Sequence, residues 1–286
     1  MDYRFMRYPG GKTKAVILSY DDGSKHDIPL MEIINRYGMK CTLNIHGHKH
    51  RAGKGLTFEQ IQTFLDQGHE VAVHGDFHRS NALVRPVEGI RDVLDCRDFL
   101  EETFGRIIRG MAYPDTGLSR FTEGHNYETV RNYLQSLGIV YVRTVGDKNP
   151  KFDIPGDWYA WMPTAHHADP MLPGYMDEFV SLDVDSLYKA FRHPRLLFIW
   201  GHSHEFHRNK NWDLLESICE KLGGREDIWY TTSIDLFEYV NAYYALVWSS
   251  NGKRVYNPTL FTIWFAVGPT MYTIAPGETL TIEYPA

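Results

Sequence analysis

Lys14-Ala15-Val16-Ile17-Leu18-Ser19-Tyr20-Asp21-Asp22-Gly23 is an apolar run closed by two carboxylates and a glycine. A short apolar run bounded by a turn signal reads as a buried strand that ends in a loop. Downstream, Ile28, Met31 and Ile34 fall at helical spacing within residues 26–37, and Gly38 stops the pattern. Cys41–Ile45 reads as a second strand. Thr57-Phe58-Glu59-Gln60 predicts a capping box, opening a helix that runs through Leu65 to a stop at Gly68. Glu70–Val73 is a third strand, and it delivers His74. The alternation continues with a helix over 88–104, a strand from Ile107 to Tyr113 and a helix from Tyr127 to Leu137. A strand over Ile139–Val142 ends at Arg143, another runs from Leu196 to Trp200, and a helix covers 211–222. Strand and helix in strict alternation imply parallel pairing with right-handed crossovers, in an α/β barrel or a large open sheet. In either fold the active site gathers at the C-terminal ends of the strands. The polar groups at those ends are Asp21-Asp22, His74, Pro114-Asp115, Arg143 and His202.

After about residue 240 the pattern changes to short β-type runs divided by Asn251-Gly252, Asn257-Pro258, Gly268-Pro269 and Pro276-Gly277. The expected organisation is a catalytic domain over 1–240 and a small C-terminal β module over 241–286.

Composition narrows the function classes. The net charge of −6 implies no basic face, which argues against nucleic acid as a partner. No run is long and apolar enough for a membrane span. Cys41, Cys96 and Cys219 are far apart and odd in number, which argues against a disulfide framework and fits a reducing compartment. The first seven residues hold no apolar stretch, so the expected location is cytoplasmic, or secreted or periplasmic if a leader was removed. The 14 histidines suit metal or acid–base work, and the 15 Phe, 18 Tyr and 7 Trp suit a sugar-binding groove or a large core. Composition leaves homo-oligomerisation open.

His74-Gly75-Asp76-Phe77-His78 puts two imidazoles four residues apart just beyond a strand. Such a pair converges on one metal, and zinc suits two imidazoles and a carboxylate with a position left for water. Adjacent carboxylates at Asp21-Asp22 can divide the work, one holding the metal and the other free as a base. Gly201-His202-Ser203-His204-Glu205 follows another apolar strand and offers a general acid, His202 or His204.

In this order the segments resemble the polysaccharide deacetylase family, also called carbohydrate esterase family 4 or NodB-like. That family carries T-F-D-D-G, G-H-E-I/V-x-x-H-S/T-x-x-H and a late strand with a histidine. Here the first reads Ser19 to Gly23 and the second Gly68 to His78, and the resemblance covers residues 14–235. It implies a distorted (β/α) barrel of about seven parallel strands, fewer than the eight-stranded parent. It implies Asp21 as base, His202 as acid, and Asp22, His74 and His78 as ligands of one divalent ion, zinc or else cobalt, manganese or nickel. The implied reaction is removal of N-acetyl or O-acetyl groups from a carbohydrate by metal-activated water.

Two departures stand out. The family's R-x-P aligns with Ala112-Tyr113-Pro114, without the arginine, and Arg143 at another strand end is the expected substitute. A backbone N–H near Tyr113 is the expected oxyanion donor. The family's D-x-x-D-W aligns with Asp153 to Trp158, one residue longer, which makes Asp157 the expected partner of the acid. Trp158, Trp161, Trp200 and His166 are candidate pocket residues, and His46, His48 and His50 end a strand nearby.

Other readings are a deacylase of a small non-sugar amide, a two-metal phosphoesterase and a non-catalytic carbohydrate-binding scaffold. The phosphoesterase reading rests on Gly201-His202-Ser203-His204 and lacks an early Asp-x-His.

Overall fold

The computed structural model describes residues 2–145 and 152–283. Strand β1 (Arg4–Arg7) precedes β2 (Lys14–Asp21), which is buried along its whole length. Next come α1 (Asp27–Arg36), β3 (Cys41–Ile45), α2 (Gly47–Arg51), α3 (Phe58–Asp66), β4 (Glu70–Val73) and α4 (Pro86–Phe104). They are followed by β5 (Gly110–Ala112), α5 (Tyr127–Ser136), β6 (Tyr141–Arg143), β7 (Ala165–His166), α6 (Leu172–Ser181) and β8 (Arg195–Gly201). Then α7 (Ser203–Asn209), α8 (Trp212–Leu222), β9 (Ile228–Tyr230) and α9 (Ser233–Tyr244) lead to five short strands. These are β10 (Val247–Trp248), β11 (Arg254–Tyr256), β12 (Ile263–Val267), β13 (Thr270–Ile274) and β14 (Thr279–Thr281). The strand expected from Ile107 begins only at Gly110, because Ile107 is out in solvent. Among the described residues no helix is long and apolar enough to cross a membrane.

The parallel sheet runs β6-β5-β4-β3-β2-β8-β7 and curls into a half-barrel, the distorted (β/α) barrel form. Strand β2 is its axis. One edge pairs with β8 from Lys14 to Tyr20, while the other pairs first with β9 and then, from Leu18 to Asp21, with β3. The two ends of the sheet are bridged by one segment: Trp161 bonds to Val142 of β6, and Thr164 bonds to Phe198 of β8.

Strand parity decides what faces the barrel interior. Val16, Leu18 and Tyr20 join the cluster under the surrounding helices, with Leu43, Val71, Val73, Leu197 and Ile199. Ala15 and Ile17 join the other cluster, with Tyr141, Trp161, Leu196 and Phe198. Asp21 therefore shares the interior face with Ala15 and Ile17, as Arg143 does with Tyr141 and His202 with Phe198.

That second cluster continues through Leu236, Tyr239 and Val240 of α9 into Val255, Ile263, Phe265 and Ile274, so the C-terminal strands plug the barrel from beneath. The boundary expected at 240/241 falls inside α9, and β1 pairs antiparallel with β12. Residues 4–7 thus share a sheet with the C-terminal strands.

A polar layer crosses the interior above this plug. Glu70 accepts from the Tyr141 hydroxyl (2.6 Å), the Thr42 hydroxyl (2.8 Å) and the Ile234 N–H (3.0 Å). Burial pushes the Glu70 carboxyl up to about 7, against the lowering effect of those donors. An acid raised in the native state is protonated there while the unfolded chain has already ionised. Stability therefore falls as pH rises from the ordinary carboxyl range to about 7, by about 3 kcal/mol for a shift of this size. Glu70→Gln should shrink the loss of stability between pH 5 and pH 8, measured by denaturant melts at both. An unchanged loss would show that Glu70 does not carry it.

Candidate metal and acid–base site

Two of the candidate ligands stand on strained backbone. Beyond Asp21 the chain turns through Asp22 (φ 79°) and Gly23 (φ 58°), with the Asp22 N–H donated to the Asn44 carbonyl at 2.9 Å. His78 is also left-handed (φ 57°). Left-handed non-glycine residues cost energy and collect where function holds them. Gly23 has no alternative residue: a Cβ there would lie 2.4 Å from the His50 ring, whose Nδ1 and Nε2 lie 3.0 Å from the carbonyls of His46 and Gly23. His50 therefore braces the Asp21-Asp22-Gly23 turn, while His46 borders the site, its ring 5.7 Å from that of His78.

Parity brings His74 inward from β4. Its Nδ1 lies 2.9 Å from the Ala112 carbonyl and must carry a proton to bond it. The Nε2 lone pair is left facing Asp22 Oδ1 at 3.8 Å, and His78 Nε2 lies 3.6 Å from the same oxygen. Burial, together with His78, lowers the His74 pKa against the opposing pull of Asp21 and Asp22, so the ring is neutral. Burial would raise the Asp22 carboxyl, but His74, His202 and Lys49 outweigh it and hold it down. One donor atom from each of Asp22, His74 and His78 lies within 4.8 Å of the other two. Tetrahedral zinc with bonds of about 2.0–2.1 Å holds its ligands about 3.3 Å apart. The triad fits such an ion with a small contraction.

Asp21 is held apart from this triad. Arg143 Nη2 reaches both its oxygens, at 2.7 and 2.5 Å, and Asn44 Nδ2 donates to Oδ1 at 2.8 Å. Asp21 Oδ2 lies 3.9 Å from His74 Nε2 and 3.9 Å from His202 Nε2. Burial alone would raise this carboxyl, but Arg143, His74 and His202 keep it below its ordinary value. Arg143 is itself buried, and its guanidinium lies 4.6 Å over the Trp200 ring. It comes from β6, where its register partner on β5 is Ala112.

His202 precedes α7 and turns Nδ1 toward Glu205 Oε1, 3.5 Å away. Burial lowers its pKa, but Glu205, Asp21 and Asp22 raise it further, and the net shift is upward. The sequence reading did not single out Glu205. It also faces His166 (3.0 Å) and His167 (3.1 Å). Burial opposes its charge, yet the three histidines hold it far below the carboxylate range. The Ala168 N–H donates to His166 Nδ1, so the His166 proton sits on Nε2, toward Glu205. The rings of His166, His167 and His202 thus surround the Glu205 carboxylate. Its signal in the sequence was a Glu three residues after the strand-end histidine, which one turn of helix brings back onto that ring.

The remaining expected residues divide between the core and the site. Asp157 accepts from the Tyr127 hydroxyl (2.5 Å) and the Tyr159 N–H (2.9 Å); Glu205, not Asp157, is the carboxylate beside His202. Trp161 is buried among Tyr141, Trp158 and Phe198, and Trp158 packs on Trp161 and Phe237, so both belong to the core. Trp200 lines the site, between Arg143, His166 and His202. Tyr113 and Pro114 are buried behind it, and the Tyr113 N–H is taken by the Arg143 carbonyl at 3.0 Å rather than left free for an oxyanion. His204 lies 5.2 Å from His202, ring to ring, and His48 stacks on Phe77.

Residues 8–142 match the model of a family described as polysaccharide deacetylase. Sequence comparison with curated proteins finds no match. Among solved structures, the Puue allantoinase aligns with a TM-score of 0.56 at 14% identity, over 81% of this chain and 91% of that one. The peptidoglycan deacetylase PdaC from Bacillus subtilis aligns with a TM-score of 0.50 at 17% identity, over 82% and 94%. The Streptococcus pyogenes deacetylase PplD aligns over 46% of this chain at 19% identity and a TM-score of 0.40, and the chain spans 55% of its length. At these identities the likeness is one of fold.

Proposed function

We propose, for a chain that belongs to the polysaccharide deacetylase family through residues 8–142, that it hydrolyses acetyl groups from an acetylated carbohydrate, with Asp22, His74 and His78 holding one divalent ion. The observation that carries this reading is the position of Asp21, fixed by Arg143 and Asn44 between the triad and His202. An ion at the triad would supply Lewis acidity and lower the pKa of water beside it.

The other steps belong to side chains. Asp21 is ionised through the ordinary carboxylate range, and its Oδ2 is the oxygen nearest both His74 and His202. It accepts the proton of the attacking water. Arg143 and Asn44 keep it from rotating toward the ion. His202 gives a proton from Nε2 to the departing group, with Glu205 Oε1 facing Nδ1 at 3.5 Å. An amine leaves poorly unless protonated, so a charged imidazole here favours N-acetyl over O-acetyl substrates. The exposed side of Trp200 offers a shelf for a sugar ring.

The test combines elemental analysis with an acetate-release assay on N-acetylated and O-acetylated oligosaccharides and a ring-opening assay on a small cyclic amide. It uses tag-free wild type and His74→Ala. Wild type should hold one metal per chain and release acetate, and the variant should lose both. A chain that takes up no metal after zinc reconstitution would refute the metal site. Turnover of the cyclic amide alone would refute the carbohydrate substrate.

A further inference from the structure

The segment between the two ligand histidines has its backbone polar groups tied down from two sides. From α2, the N–H groups of Gly47 and His48 reach the carbonyls of Gly75 (3.2 Å) and Asp76 (3.0 Å). From α4, the Asp92 carbonyl accepts the Asp76 N–H at 2.9 Å, and Asp92 Oδ1 accepts the Phe77 N–H at 2.8 Å. Asp92 is only 4% exposed. Its second oxygen, Oδ2, is buried without a hydrogen-bond partner among the described residues. That oxygen points at Gly75, where a Cβ would stand 2.3 Å away. Gly75 is left-handed (φ 71°) and occupies the position at which the resembled family pattern carries Ser or Thr.

We infer that Asp92 is a positioning residue for the metal loop, fitted to Gly75 and setting the spacing of His74 and His78 from the second turn of α4. The inference rests on the metal triad proposed above. A loop with left-handed residues at Gly75 and His78 does not hold that shape by itself. Asp92 supplies an acceptor for one of its amides and fills the space a side chain at position 75 would take. The two positions therefore act as a pair: a small residue in the loop and a carboxylate in the helix. Groups that orient metal ligands without touching the metal typically change its affinity by about 10- to 100-fold when removed.

The experiment measures zinc dissociation constants by chelator competition, with the melting temperature of each metal-free protein recorded alongside. Asp92→Ala should weaken zinc by about 10-fold or more. Asp92→Asn keeps the acceptor and the shape and should stay within about threefold of wild type. Gly75→Ala, which strikes the same contact from the loop side, should weaken zinc by a similar factor with the metal-free fold retained. Wild-type affinity in both Asp92→Ala and Gly75→Ala would overturn the inference. A loss in Asp92→Asn as large as in Asp92→Ala would also overturn it, because charge and not positioning would then be the cause. His74→Ala is the control: if it still binds zinc as wild type does, the triad itself is wrong, whereas its loss beside an unaffected Asp92→Ala rejects only the role of Asp92.

Discussion

Asp21→Asn is expected to slow acetate release by about a thousandfold, within the range of general acid–base contributions, while the metal content stays at the wild-type level. The substitution conserves shape, so Arg143 can still bond one oxygen, and the three ligand side chains are untouched. What disappears is the basic lone pair at Oδ2, the atom 3.9 Å from both His74 and His202. The pH profile sharpens the test. Because Asp21 is held below its ordinary value, its own acidic limb should lie below the ordinary carboxylate range. The variant should lack that acidic limb. Loss of metal together with activity would make Asp21 a ligand instead, and unchanged turnover would remove it from the reaction.

Arg143→Met is expected to act on stability and turnover together. Removing one partner of a buried ion pair leaves the other charge stranded, at a cost of about 3–5 kcal/mol. Both partners are buried here: Arg143 and Asp21 are each 1% exposed. With the guanidinium gone, burial dominates the carboxyl, and the acidic limb of the pH profile should move up. Turnover should fall on the order of a hundredfold at neutral pH, within the range of a general base lost to protonation, and recover in part as pH rises. Urea melts and kcat against pH test both effects on one sample. A variant as stable as wild type, with an unmoved acidic limb, would show that the Arg143–Asp21 contact has no such role. Arg143→Lys restores the charge without the fork and should fall between the two.

Most of the barrel was legible because its strands are apolar runs that end in polar residues, and its crossover helices carry Gly stops. Asp21-Asp22, His74 and His78 stood out for the same reason. Strand β1 had no such signal. Its four residues find their partner in β12 near the other end of the chain, and a pairing between distant segments leaves no local pattern. Glu205 was hidden as one more acid in a polar stretch, since only the first turn of α7 aims it at His202. The sequence marks Trp158 and Trp161 as candidate pocket residues because an aromatic residue looks the same in a core and in a groove. Their neighbours in space, Phe237 and Phe198, decided between the two.

The pairing of Ala112 with Arg143 has a wider consequence. Position 112 is where the family pattern would put its arginine, and the residue beside it across the ladder is Arg143, which bonds Asp21. Residues level with each other on adjacent parallel strands face the same interior and reach the same carboxylate, so a guanidinium can change strands without leaving its post. A pattern written along the chain scores this as a loss. One written around the barrel, height by height, scores it as the same site with a different tenant.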